Sequence, residues 1–267
     1  MKVVFDIGGT SMRAASAESG KLGEVRKVST PQTPQEGIPT LAALMRECAV
    51  GEPVEAAVGG FPGVVAGGTI HFAPNLPQWV GCVFAQELSR SLGAPAHVHN
   101  DADLAALGEA VYGAGKGSHI VVYAGVGTGI GCGRVVDGRI DSGVYDFEAG
   151  HQIVDVKGGV ELEALVSGRA FEIRYKVHPS KAPREGYTEM TPVLAAGLYN
   201  MMLHWSPEVF VLGGSMMNEE NGYRLADIVA ALERLPKVYP KLPELRLAQF
   251  KETAGLNGAM ALLSERK

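Results

Sequence analysis

The sequence predicts an α/β protein of two lobes with a cleft between them. Three observations carry that expectation. Short β-rich apolar runs alternate along the 267 residues with segments of helical spacing. A strand, a Gly/Thr turn and a return strand occur twice, at DIGGT near the start and at GVGTGIG in the middle, as a weak internal duplication would place them. Glycine is the third. There are 35, with no collagen period and no low-complexity tract, so they punctuate the chain at turns.

The elements follow in order. Val3–Phe5 reads as a strand, and Arg13–Ser16 with Glu24–Ser29 as its antiparallel continuation. Thr40–Cys48 has helical spacing, Ala56–Gly59 is a buried strand, and Gly68–Phe72 an edge hairpin. Phe84–Leu92 is a helix stopped by Gly93, Ala96–His99 a strand, and Ala102–Tyr112 an Ala/Leu-rich helix. The glycine-rich bridge Gly113–Gly117 leads into the strand Ile120–Tyr123. Gly131–Val136 and Arg139–Ile140 flank Asp137-Gly138, a strong hairpin signal. Glu161–Lys176 and Met190–Trp205 read as helices, Val209–Leu212 as a buried strand, and Ala254–Leu263 as a closing helix. The expected lobes are 1–115 and 116–267, with the final helix, about 253–265, packing back on the first lobe.

Composition excludes several classes. Forty-six per cent hydrophobic and 20% charged residues describe a globular chain, and a net charge of −5 gives no basic footprint for nucleic acid. No apolar run approaches ~18 residues, and the first residues lack a signal-peptide core, so a cytoplasmic protein without a membrane partner is expected. Cys48, Cys82 and Cys132 are far apart, which suits structural thiols better than disulfides or a zinc site.

The glycine turns carry the chemistry. In Asp6-Ile7-Gly8-Gly9-Thr10, glycines allow a sharp bend and close ligand approach. Amides and the Thr10 hydroxyl can donate to phosphate oxygens, while Asp6 can hold a hydrated Mg²⁺. Alone, such a turn is better read as an ordinary hairpin. Gly125–Gly131 resembles a dinucleotide fingerprint, but a hairpin follows where a helix and an acid ~20 residues on are required. No Walker pattern is present either. A two-turn phosphate clamp, with Gly127, Thr128 and Gly129 in the second turn, accounts for both. Gly213 and Gly214 close a third strand, where a nucleotide base or ribose can approach.

In this order the turns make the chain resemble the ROK family of sugar kinases and sugar-responsive repressors, within the actin-like ATPase and hexokinase superfamily. DIGGT and GVGTGIG look like its two phosphate motifs, and VLGGS is similar to its adenosine motif. GGFPGVV is similar to its G-x-P-G-x-V loop and APNLPQW to its N-L-x-x-W sugar loop. HNDADLAALGE matches N-D-x-N-x-x-x-x-G-E, with Asp103 where Asn is usual. FEAGH matches E-x-G-H, and LEALVSG the Glu-bearing helix start. The matches run over nearly the whole chain.

The resemblance implies a two-lobed actin-like ATPase (ribonuclease H-like) fold with the active site in the interlobe cleft. It implies ATP- and Mg²⁺-dependent phosphorylation of a hexose, glucose to glucose 6-phosphate foremost, with Asp101 as general base. Beside Asn100, Asp101 could otherwise serve only to cap its helix. Gly63, Asn75, Asn100, Asp101, Glu148, His151 and Glu163 are the implied sugar-binding residues. Asp6, Gly8, Gly9, Thr10, Gly127, Thr128, Gly129, Gly213 and Gly214 are implied for ATP. Trp79 reads as packing rather than a sugar platform. After E-x-G-H many members carry zinc-binding cysteines, whereas QIVDVKGGVELE has none, so no structural zinc is expected and VDVKGGVEL reads as a hairpin. Zinc-free members that use polyphosphate have a similar NDAD stretch, which keeps that donor open. N-acetylmannosamine, N-acetylglucosamine, mannose and fructose remain alternative acceptors, and a non-catalytic sugar sensor the alternative class. A repressor is disfavoured because the phosphate motif opens the sequence and the charge is negative. A homodimer and closure of the lobes over the sugar are expected.

Overall fold

The computed structural model describes residues 1–141 and 143–265. The chain begins with the strands β1 (Lys2–Ile7), β2 (Ser11–Glu18), β3 (Lys21–Leu22) and β4 (Arg26–Ser29), then the helix α1 (Pro34–Cys48). It continues through β5 (Ala56–Phe61), β6 (Val64–Ala66), β7 (Thr69–Phe72), α2 (Phe84–Leu92), β8 (Ala96–Asn100) and α3 (Asp101–Val111). The second part runs through β9 (Ile120–Val126), β10 (Ile130–Val136), β11 (Arg139–Ile140), β12 (Ile153–Asp155), β13 (Val160–Glu161), α4 (Glu163–Val166) and α5 (Gly168–Tyr175). It ends with α6 (Arg184–Trp205), β14 (Val209–Gly213), α7 (Leu225–Leu232), β15 (Glu244–Leu247) and α8 (Ala254–Glu265).

Two sheets repeat one topology. The first has the order β3-β2-β1-β5-β8 with β4 on β2, and the second β11-β10-β9-β14-β15. In each, an antiparallel hairpin (β1/β2, β9/β10) is followed by two parallel strands. Parallel strands need both faces covered, and the helices supply the cover. α1 and α2 pack on one face of the first sheet around the buried Phe5, Phe61, Trp79 and Phe84. Each such side chain contributes about 1.5–3 kcal/mol of transfer free energy. α4 to α7 cover the outer face of the second sheet. α3 lies chiefly against β9 and β10, α8 against β5 and β1, and the two helices pack on each other. That contact is close because both carry glycine. A Cβ on Gly108 would come within 2.5 Å of Ala254 O, and one on Gly258 within 1.8 Å of Leu104 O.

Several elements differ from the sequence reading. The helix expected over Glu161–Lys176 is broken at Ser167, whose Oγ accepts from Ala170 N and caps α5 afresh. α1 starts at Pro34 and α6 at Arg184, each with a proline inside (Pro39 and Pro192). A proline inside a helix removes one backbone donor, and both helices nonetheless run through theirs. α7 and the partly exposed edge strand β15 were not read, and β15 completes the second sheet. The hairpin within VDVKGGVEL exists as β12/β13. Trp79 is fully buried, its Nε1 donating to Pro31 O at 3.3 Å.

Candidate active site

The first glycine turn joins β1 to β2. Gly8 N donates to Ser11 O at 2.9 Å. Thr30, at the end of β4, donates its hydroxyl to Gly8 O at 2.7 Å and its amide to Thr10 O at 3.1 Å. The turn is thereby fixed from behind by a residue the sequence reading did not select, leaving Thr10 exposed at the tip. Gly9 lies against Asn75, where a Cβ would come within 3.1 Å of the Asn75 Cβ. The expected phosphate and sugar loops therefore meet.

The second turn joins β9 to β10. Gly127 N donates to Gly129 O at 2.9 Å, while Gly168 N and Arg169 N, at the start of α5, donate to Gly127 O and Thr128 O at 2.7 and 3.0 Å. The break at Ser167 is what brings α5 onto this turn. Glu163 Oε2 accepts from Ile130 N at 2.6 Å, and a Cβ at Gly129 would come within 2.4 Å of that oxygen, so a side chain there would displace the carboxylate. The third turn follows β14. Gly214 has φ +88, and a Cβ there would sit 2.3 Å from Val126 O. Glycine is obligatory at that position. The chain beyond it, Ser215 and Met216, joins Gly127, Thr128, His178 and Tyr187 in lining a cavity of about 110 Å³. Gly127 and Gly168 line this cavity, whereas Gly213 and Gly214 do not.

Asn100 and Asp101 stand where β8 becomes α3. Asn100 is 5% exposed. Its Oδ1 accepts from Ala102 N and Asp103 N at 2.8 and 3.1 Å, and its Nδ2 donates to Gly63 O at 3.0 Å. Asn100 is thus the helix cap, and the Asp101 carboxyl is free of that task. Gly63 has φ +120, and a Cβ would clash with Phe72 O at 2.0 Å. Asp101 lies beside Asp6, with Gly60 and Gly255 as the wall between them. A Cβ on Gly60 would be 3.3 Å from both Asp101 Cβ and Asp6 Oδ1. Burial, and then the Asp6 charge, push the Asp101 carboxyl up to about 8. Asp6 is raised too, by burial first, although Arg13 Nη1 at 3.2 Å from its Oδ2 opposes this.

On the other side, Glu148 and His151 are each 30% exposed, with Glu148 Oε2 3.9 Å from His151 Nε2. His151 Nδ1 lies 2.8 Å from Glu161 Oε2, so the β12/β13 hairpin orients the ring. Burial pulls the imidazole down, but Glu161, Glu163 and Glu148 together hold it above its usual range. Glu148 is itself raised, chiefly by burial. Asp146 Oδ2 accepts from Val65 N at 2.9 Å, and the Phe72 ring stands 6.0 Å from that of His151, so β6 and β7 touch the second lobe here. Asp103 is 3% exposed, its Oδ1 has no hydrogen-bond partner, and burial followed by Asp146, Asp101 and Glu148 pushes it up to about 8. Thr30, Glu161, Asp146 and Arg13 act through tertiary contacts, so no local pattern marked them. Among the described residues no group of three or more His, Cys, Asp or Glu side chains is arranged to hold a metal ion.

This geometry has known counterparts. A glucokinase from Streptomyces coelicolor is 28% identical over 99% of this chain and 98% of its own. The structure of a ROK family glucokinase from Streptomyces griseus in complex with glucose and AMPPNP superposes with a TM-score of 0.83, at 27% identity over 98% of both chains. The inorganic polyphosphate/ATP-glucomannokinase from Arthrobacter sp. strain KM superposes with a TM-score of 0.73, at 30% identity over 99% of this chain and 98% of that one. The fold is the two-lobed actin-like ATPase fold of these neighbours. The ROK family model matches residues 3–266, and with glycine turns and sugar loops in the family's order, the chain belongs to the ROK family.

Proposed function

We propose that the chain is a sugar kinase that transfers the terminal phosphoryl group of ATP to a hexose hydroxyl, the 6-hydroxyl of glucose foremost. The observation that carries this reading is Asp101, released from capping by Asn100 and raised to about 8 beside Asp6. A sugar hydroxyl becomes a competent nucleophile as its proton leaves, and a carboxylate of raised pKa is a matched acceptor. The glycine turns offer backbone amides for the phosphates, and the 110 Å³ cavity a place for the base or ribose. Asn75, Asn100, Glu148, His151 and Glu163, with the close backbone at Gly63, bind and orient the sugar hydroxyls.

The residues fit a hydrated Mg²⁺. Asp6 Oδ2 is engaged by Arg13, while Oδ1 faces Gly60 and Gly255, where a Cβ would come within 3.3 Å of it. Asp6 would hold the ion through water, where it would supply positive charge to the transferring phosphoryl group. Inorganic polyphosphate is the second donor to consider, because the NDAD stretch and the 30% identity to the Arthrobacter glucomannokinase favour it.

The test is ADP release with Mg²⁺ over a panel of hexoses and N-acetylhexosamines, with sugar phosphate formed from polyphosphate measured in parallel. Turnover of glucose supports the reading. A preferred N-acetylhexosamine would reassign the acceptor, and sugar binding without turnover would make the chain a sensor.

A further inference from the structure

The chain returns from the second sheet to the first through residues 248–253, between β15 and α8. This crossing is bent. Lys251 has φ +45, a conformation that costs about 1 kcal/mol or more for a residue with a side chain. It is held on each side of the bend. Glu252 Oε2 pairs with Arg13 Nη2 at 3.0 Å, and Arg13 in turn holds Asp6. Phe250 N donates to Glu109 Oε1 at 2.9 Å.

Glu109 is fully buried, and its other oxygen accepts from Ala114 N at 2.8 Å. Gly113 makes room for it, since a Cβ there would lie 2.2 Å from Glu109 Oε2. A buried carboxylate is costly unless satisfied. This one is satisfied by two backbone amides, one at the end of α3 and one in the return crossing. It does not reach the cleft, and no step of the proposed reaction uses it.

Its consequence lies one turn further on. α8 starts at Ala254, and its second residue, Gly255, lies against the Asp6 carboxylate and the Asp101 backbone. A Cβ on Gly255 would be 3.3 Å from Asp6 Oδ1 and 3.9 Å from Asp101 O. Asp6 lies on β1, and Asp101 directly follows β8 of the same sheet as the first residue of α3, so the seat of α8 against α3 acts together with that sheet in setting their spacing. We propose that Glu109 is a positioning residue for phosphoryl transfer: through Phe250 it seats the first turn of α8 on α3 and so helps to set the spacing of Asp6 and Asp101. This rests on the kinase reading above.

The test compares Glu109→Gln with the wild-type full chain on the sugar that the wild type turns over. The amide nitrogen of Gln cannot accept a hydrogen bond, so one tie is lost with little change in shape. Because misplacement by about 1 Å costs up to about 100-fold, kcat falls about 10- to 100-fold while the sugar KM stays within about twofold. An unchanged kcat, measured well below the melting temperature, overturns the proposal. A second measurement requires no turnover. In the wild type the Phe250 amide exchanges as slowly as that of Ala114, and in Glu109→Gln at least about 100-fold faster. Fast exchange in the wild type, or an unaltered rate in the variant, overturns the proposal even if Glu109→Gln folds poorly. Absence of turnover on every sugar in the wild type would refute the kinase reading and leave the exchange result to judge Glu109.

Discussion

Replacing Asp103 by Asn should make the protein more stable at pH 7 to 8, by a margin that shrinks as pH falls and disappears only below about pH 4. Asp103 is 3% exposed, its Oδ1 lacks a hydrogen-bond partner, and burial followed by Asp146, Asp101 and Glu148 raises its carboxyl to about 8. The unfolded chain titrates this group near its usual 3.8. Between those values the native state binds one more proton than the unfolded state, so stability falls as pH rises, by about 1.4 kcal/mol per unit. From pH 5 to pH 7 the loss amounts to about 2–3 kcal/mol, and it ends once the pH passes the folded value. An Asn carries no proton and keeps the shape, so this slope disappears in the variant. The assay is urea unfolding of both proteins at pH 5, 6, 7 and 8. Asp101 titrates in both, so the difference between the two curves reports Asp103 together with its coupling to Asp101. A difference that does not change with pH would refute the reasoning and place an ionised, partnered carboxylate at 103. The residue stands where the family pattern has Asn, which suits a site that keeps its carboxyl neutral.

The remaining predictions concern the site. Asp101→Asn is expected to lower kcat by about 10²–10⁴-fold with sugar affinity kept, measured by ADP release and by titration calorimetry. For the wild type, kcat/KM should climb as pH rises towards about 8, because the base must shed a proton that burial and Asp6 make it hold; a flat profile from pH 6 to 8 would point away from Asp101. Gly63→Ala should cost about 2 kcal/mol or more and abolish sugar binding, since its φ of +120 and the Phe72 carbonyl 2.0 Å away admit no Cβ; thermal melts and sugar titration read both effects. In Glu161→Gln the His151 imidazole should titrate lower than in the wild type, as followed by proton NMR. The His151–Glu161 pair adds stability that is complete below the unfolded histidine value and lost as pH rises through the folded one.

Much of the fold was legible because its signals are local. The strand–glycine–strand units at DIGGT and GVGTGIG announced both hairpins, and the buried strands at Ala56–Gly59 and Val209–Leu212 read as apolar runs closed by glycine. β15 was missed because ELRL is four half-exposed residues on a sheet edge, where pairing with β14 rather than its own pattern makes it a strand. The break at Ser167 was missed because helical spacing continues through it. What interrupts the helix is the second glycine turn, whose carbonyls take the amides of Gly168 and Arg169. At the site, Asn100 and Asp101 were both chosen, but the division of labour between cap and free carboxyl was not written in NDAD.

The sequence by itself determined the α/β class, the paired glycine turns and the family, because backbone conformation at glycine and the period of apolar residues are properties of neighbouring positions. Only the tertiary structure decided that Asp101 sits against Asp6, that Glu161 orients His151, that Asp103 Oδ1 is buried without a hydrogen-bond partner, and that Glu109 holds Phe250. Those facts depend on residues far apart in the chain meeting in a medium of low dielectric. There, a charge or an unmet hydrogen bond costs far more than in water, so the packing, not the local sequence, sets the protonation of each carboxyl.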